Sequence, residues 1–158
     1  MMDALERIVA IQEIRDQITR YALYLDDHDW SKLAELWTDD AVWAGPGMEF
    51  TGKHGVMEFL EGCLPEDYTG KHMNSPSLIE LTGPDSATAL TDVVWLAQDF
   101  AAQVVGRYDD AFKRVGGRWL FERRTEIVLP FRFGGPPMSD TAIELSAATM
   151  RPLTGPSR

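Results

Sequence analysis

The hydrophobic pattern of this chain changes its period once, near Lys71, and that change restricts the possible folds more than any other feature. Before it, Leu5, Ile8, Ile11, Ile14, Ile18, Tyr21 and Leu25 recur every three or four residues, the spacing that gathers side chains on one face of a helix. After it, apolar and polar residues alternate over 72–81, 88–100, 103–115 and 118–129, the two-residue period of strands. Gly83-Pro84-Asp85 and Gly116-Gly117 join these runs by turns too short for parallel crossovers, so the strands should pair antiparallel. Helices first and a meander second predict an α+β fold.

Local signals fill in the helical half. Asp3 followed by Glu6 resembles a capping box, which starts the first helix near Ala4 and carries it to Asp27. Asp29 can cap a second, short helix in which Trp30, Leu33, Leu36 and Trp37 pack inward, with Thr38-Asp39-Asp40 as its end. Residues 41–44 read as a strand broken by Gly45-Pro46-Gly47. A third helix carrying Val56, Phe59 and Leu60 then follows Thr51-Gly52-Lys53-His54-Gly55, and Pro65 closes the helical half. At 158 residues the chain suits one core, expected over 1–133. The tail 134–158 is rich in Pro, Gly and Ser apart from 142–150, and is expected to be partly irregular and to pack on the domain.

Charge and residue usage exclude several classes of partner. The net charge of -10, from 15 Lys+Arg against 25 Asp+Glu, disfavours nucleic acid and anionic membrane surfaces. Cys63 is the only cysteine, so no internal disulfide and no cysteine cluster for zinc can form. His28, His54 and His72 lack the close spacing of a zinc site, so no metal is expected. No phosphate-loop pattern and no nucleophilic serine elbow is visible, and nothing calls for a cofactor. No apolar run approaches the roughly 20 residues of a membrane span, and the first residues lack a basic and apolar leader, so a cytoplasmic location is expected.

A few residues stand out as candidates for chemistry. Asp26 falls beside the apolar stripe of the first helix, whereas Asp27 falls opposite it. An inward carboxylate needs a partner, and His72 on the first long strand could supply it; the alternative is an aspartate capping the helix end and a histidine satisfied at a strand start. Tyr21 lies nearer the stripe than Tyr24 and could donate a hydrogen bond or simply pack. On 103–115, Val104, Gly106, Tyr108, Asp110 and Phe112 share one face, so Tyr108 could line a cavity and Asp110 is either a second inward carboxylate or the mark of a bulge or rim. Arg123 shares its parity with Trp119 and Phe121, which predicts an inward guanidinium that pairs with Asp110 or Asp92 or holds a substrate anion or carbonyl.

Arg20-Tyr21-Ala22-Leu23-Tyr24-Leu25-Asp26-Asp27-His28-Asp29-Trp30, then Leu36-Trp37-Thr38-Asp39-Asp40-Ala41-Val42-Trp43, resembles the opening of SnoaL-like proteins of the nuclear transport factor 2-like superfamily. Lys71-His72-Met73-Asn74, Gly106-Arg107-Tyr108-Asp109-Asp110 and Gly117-Arg118-Trp119-Leu120-Phe121 are similar to later strand signatures of that family, in the same order. The resemblance implies a cone-shaped domain in which three N-terminal helices and a strongly bent, mostly antiparallel sheet enclose a pocket for a small apolar molecule. It also implies homodimers or homotrimers packed through the sheet. The scytalone dehydratase and hexachlorocyclohexane dehydrochlorinase branches share a pair matching Asp26 and His72, which implies a cofactor-independent lyase with histidine as base. Tyr21 falls where the related ketosteroid isomerase has its oxyanion-binding tyrosine, whose base aspartate would fall near Gly45, and is the third expected catalytic residue. The second pocket histidine of scytalone dehydratase falls at Ala97 here. Tyr108, Asp110, Arg123 and Asn74 are the expected substrate-binding residues. Isomerase, polyketide-cyclase-like and purely binding members of the superfamily are the alternatives. Phe131 and Phe133 need cover while the Gly-Pro run after them cannot join a sheet, which predicts 131–138 at the pocket mouth.

Overall fold

A computed structural model describes residues 2–64, 67, 69–97 and 103–129. Its first element, α1 (Ala4–Asp26), begins at the capping box. Asp3 accepts from the Glu6 amide and Glu6 accepts from the Asp3 amide, each at 2.8 Å, so two otherwise unpaired N–H groups are satisfied. The apolar stripe is buried from Ala10 onward through Ile14, Ile18, Tyr21 and Leu25, while Leu5 and Ile8 stay exposed. Asp29 caps α2 (Trp30–Ala34), where its side chain accepts from the Lys32 amide.

The second helix is shorter than its apolar spacing predicts. Trp37 opens β1 (Trp37–Gly45), and Thr38-Asp39-Asp40 continue the strand instead of ending a helix. An irregularity against the neighbouring strand between Trp37 and Val42 lets Asp39 and Asp40 both face water while Trp37 and Ala41 are buried. Gly45-Pro46-Gly47 is a hairpin turn, not a terminus: β2 (Met48–Thr51) returns antiparallel on β1, and Gly47 takes φ 75°, a conformation glycine adopts without penalty. Helix α3 (Gly52–Cys63) follows and buries Val56, Met57 and Leu60.

Residues 72–81, expected as one strand, form two: β3 (Gly70–Asn74) and β4 (Leu78–Leu81), which share β5 (Ser86–Ala97) as antiparallel partner. Pro76 has no N–H to give to a ladder, and Ser75 fastens the break by exchanging hydrogen bonds with the main chain of Asp92. β6 (Gln103–Val115) and β7 (Arg118–Val128) complete the sheet, whose order is β2-β1-β7-β6-β5-β3 with β4 also on β5. Only β1 and β7 run parallel among these pairs. The result is an α+β domain with a curved, mostly antiparallel, unclosed sheet, and its core joins Ile14 and Ile18 of α1 to Trp37, Phe112, Trp119 and Phe121. No helix among the described residues is long and apolar enough to cross a membrane.

One irregularity in β7 matters for the site. Phe121 opposes Phe112 and Arg123 opposes Ala111, so Glu122 is an extra residue and the strand changes phase there. Before it, Trp119 and Phe121 point into the core; after it, Arg124 and Glu126 point inward beside Asp110 and Tyr108, their partners on β6.

Candidate active site

The concave side of the sheet and the helices line a partly open cavity of about 240 Å³. Helix α1 contributes Tyr21 and Leu25, one turn apart; α3 contributes Phe59, Leu60 and Cys63, with Leu64 just beyond it. Trp43 of β1, Val93 and Trp95 of β5, and Val104 and Tyr108 of β6 complete a mostly apolar wall, into which His72 of β3 and Glu126 of β7 bring titratable groups. Gly70 lets β3 lie close to this wall, because a Cβ there would sit 2.5 Å from the Trp95 ring and 2.6 Å from the Leu96 carbonyl oxygen.

Asp26, in the last turn of α1, holds His72 at two points. Its Oδ1 lies 2.5 Å from His72 Nδ1, and its Oδ2 accepts from the His72 main-chain N–H at 2.9 Å. The two side chains are 3% and 6% exposed, so little water competes for these contacts. A carboxylate on Nδ1 selects the tautomer with hydrogen there and leaves the Nε2 lone pair free. Lys71, in contrast, reaches outward to Asp27 at 3.1 Å.

A second polar cluster lies beneath Tyr21. Arg124 donates through Nε and Nη2 to the two Asp110 oxygens at 2.8 and 2.7 Å, and neither side chain is exposed at all. The guanidinium carbon sits 4.0 Å from the centre of the Tyr21 ring and 3.9 Å from that of Tyr108, a cation held between two aromatic faces. Burial pushes the Tyr21 hydroxyl up to about 12, with Arg124 opposing, and burial and then Tyr21 raise Tyr108. Both phenols are therefore neutral hydrogen-bond donors at ordinary pH. Burial also raises the Asp110 carboxyl against the pull of Arg124. It works against the Arg124 charge as well, but the Asp110 carboxylate outweighs it and keeps the guanidinium protonated above its ordinary range.

Of the residues singled out from sequence, Tyr21, His72 and Tyr108 line the cavity and Asp26 stands directly behind His72. Asp110 is inward but taken up by Arg124. Arg123 is a correction: it points outward, bonds Glu49 at 2.7 Å and pairs with neither Asp110 nor Asp92, because the extra residue at Glu122 shifts the inward parity to Arg124. Asn74 shares the His72 side of β3, and its Oδ1 is buried without a hydrogen-bond partner among the described residues, but it is not part of the cavity wall. Strict alternation missed Arg124 and Glu126. The signal was the charged run Glu122-Arg123-Arg124, which no strand with one buried face can hold without a change of phase. Residues 131–138 and the tail 134–158 lie outside the described residues. Among those described, no group of three or more His, Cys, Asp or Glu side chains is placed to hold a metal ion.

The chain is similar to known proteins in sequence and in fold. Residues 6–125 match the SnoaL-like domain family. Gamma-hexachlorocyclohexane dehydrochlorinase of Sphingobium indicum is 23% identical over 129 residues, covering 78% of this chain and 83% of the relative. Among solved structures, a protein of Novosphingobium aromaticivorans proposed to be a scytalone dehydratase superposes with a TM-score of 0.70 at 23% identity, covering 78% of this chain and 86% of the other. Hexachlorocyclohexane dehydrochlorinase of Novosphingobium barchaimii superposes with a TM-score of 0.70 at 20% identity, covering 86% and 98%. With the family's pattern matched over most of its length and the fold shared with these structures, the chain belongs to the SnoaL-like domain family.

Proposed function

We propose that this protein is a cofactor-independent lyase that removes a proton from a small, apolar, cyclic or aromatic substrate and expels a leaving group from the neighbouring carbon. The observation that carries this reading is the Asp26 to His72 contact at the wall of an otherwise apolar cavity. His72 Nε2 accepts the substrate proton, and Asp26 fixes the ring and stabilises the imidazolium that forms. Tyr21 and Tyr108, neutral donors on the same wall, steady negative charge developing on a substrate oxygen. Relatives that act as dehydrochlorinases support elimination over isomerisation or cyclisation.

The test is a screen of hydroxylated, keto-substituted and halogenated cyclic compounds for loss of water or halide, followed by two variants. His72→Ala should abolish turnover. Asp26→Asn should lower kcat by roughly 100-fold or more while leaving ligand binding largely intact, because its amide donates to Nδ1 and moves the ring hydrogen to Nε2. A substrate that His72→Ala converts as fast as wild type would refute the mechanism. We further propose that the protein is cytoplasmic and assembles as a homodimer or homotrimer through its sheet.

A further inference from the structure

Glu126 is the one carboxyl among the described residues that line the cavity, and neither the family pattern nor the Asp26 to His72 pair accounts for it. Its strand and that of His72 are separated in the sheet by β5 and β6, a span of about 14 Å on a flat sheet at roughly 4.8 Å per strand. Curvature brings the two side chains onto the wall of one small cavity, from different strands. Among the described residues Glu126 forms no ion pair or hydrogen bond, and Arg124 on the same strand gives its bonded nitrogens, Nε and Nη2, to Asp110. A partly buried carboxyl aimed at an apolar cavity without a partner costs stability, so a role toward the ligand is the economical explanation.

We infer that Glu126 is the acid that hands a proton to the leaving oxygen, which fits this pocket to substrates that lose water from the carbon next to the one deprotonated by His72. The inference rests on the lyase reading and deepens it. In the step, His72 Nε2 takes the proton from carbon, and the C–H electron pair becomes the new C=C bond. The C–O bond breaks with its electron pair, and the departing oxygen takes the Glu126 proton to leave as water. That water can relay the proton from the His72 imidazolium to the Glu126 carboxylate, restoring both groups. Chloride leaves without a proton, so a dehydrochlorinase has no use for such an acid; hydroxide is a poor leaving group and does.

The surroundings of Glu126 favour its protonated form. Burial raises its carboxyl above the usual glutamate range, with His72 on β3 and Arg124 on its own strand pulling the other way. The other titratable groups on the surrounding wall are Tyr21 of α1, Tyr108 of β6 and Cys63 of α3, all raised by burial and neutral at ordinary pH. Asp26 faces it only from behind the His72 ring.

The experiment compares Glu126→Gln with wild type on a cyclic β-hydroxy ketone and its β-chloro counterpart, and in melting curves across pH. The expected kinetic result is a fall of about 100-fold in the ratio of water loss to chloride loss. Equal losses on both substrates would overturn the inference. The melting curves decide without turnover. Because the Glu126 carboxyl is raised in the folded protein, it contributes stability below the unfolded glutamate range, and this is lost as pH rises through the folded midpoint. Gln carries no charge, so the variant should melt higher than wild type at neutral pH, and the gap should close below about pH 4. A gap that does not change with pH overturns the inference, because the carboxyl then holds its proton no better than any glutamate. Wild type inert to both substrates would sink the lyase reading, while the melting curves still report on Glu126.

Discussion

Between the rings of Tyr21 and Tyr108, the guanidinium of Arg124 meets both oxygens of Asp110 in a place closed to solvent. Two charges brought so deep are compensated chiefly by each other, so losing one leaves the other without its main partner. Arg124→Met should cost about 3–5 kcal/mol, seen as a melting temperature lower by roughly 10 °C. A double replacement, Arg124→Met with Asp110→Leu, should recover most of that loss; thermal melts of the three variants check both statements. The sequence made the inward carboxylate legible, since Asp110 shares parity with Tyr108 and Phe112, but it assigned the wrong arginine. Parity propagates along a strand only while the ladder is regular, and one unpaired residue reverses every side chain beyond it. Asp26 and His72 were easier to bring together, because one sits at a helix end and the other near a strand start, where no count of residues has to be carried far.

At the scale of elements, the long periodic segments were legible and the short ones were not. Helix α1 announced itself through seven apolar positions and a capping pair, and β6 occupies the residues its alternation predicts. The shortened α2, the β1 to β2 hairpin and the split of β3 from β4 depend on which neighbour each segment meets, and single-sequence patterns do not carry that information. β3 illustrates how such an element controls the site. Its position on β5 is set where Gly70 opposes Ala97 and touches Trp95, two residues before His72. Gly70→Ala would force a methyl into the Trp95 ring and the Leu96 carbonyl, so either Trp95 turns or β3 lifts from β5. The expected outcome is a loss of about 1–3 kcal/mol in stability and a larger proportional loss of catalysis than of ligand affinity. Denaturant melts together with kcat and Kd measurements distinguish this from simple unfolding.

For the molecule as a whole, the sheet has two faces with different tasks. The concave face is filled by helices and cavity, whereas the other carries exposed Met73 beside half-buried Val94 and Val105 across three strands, with Leu90 and Ile127 exposed nearby. If copies assemble through this face, Val94→Arg should reduce the mass measured by light scattering toward that of one 17.7 kDa chain while leaving the monomer folded. An unchanged mass would remove the sheet as the interface. The extra residue at Glu122 gives the architecture a different kind of latitude. It divides β7 into a half whose inward positions, Trp119 and Phe121, are constrained by the core and a half whose inward positions begin with Arg124 and Glu126. Substitution at Glu126, the cavity-facing position of the second half, can therefore retune which molecules are accepted while the first half and the buried Arg124 to Asp110 pair stay fixed. Descendants of one ancestor could in this way diverge in diet without having to refold, and Glu126 is the position where such divergence would be cheapest to explore.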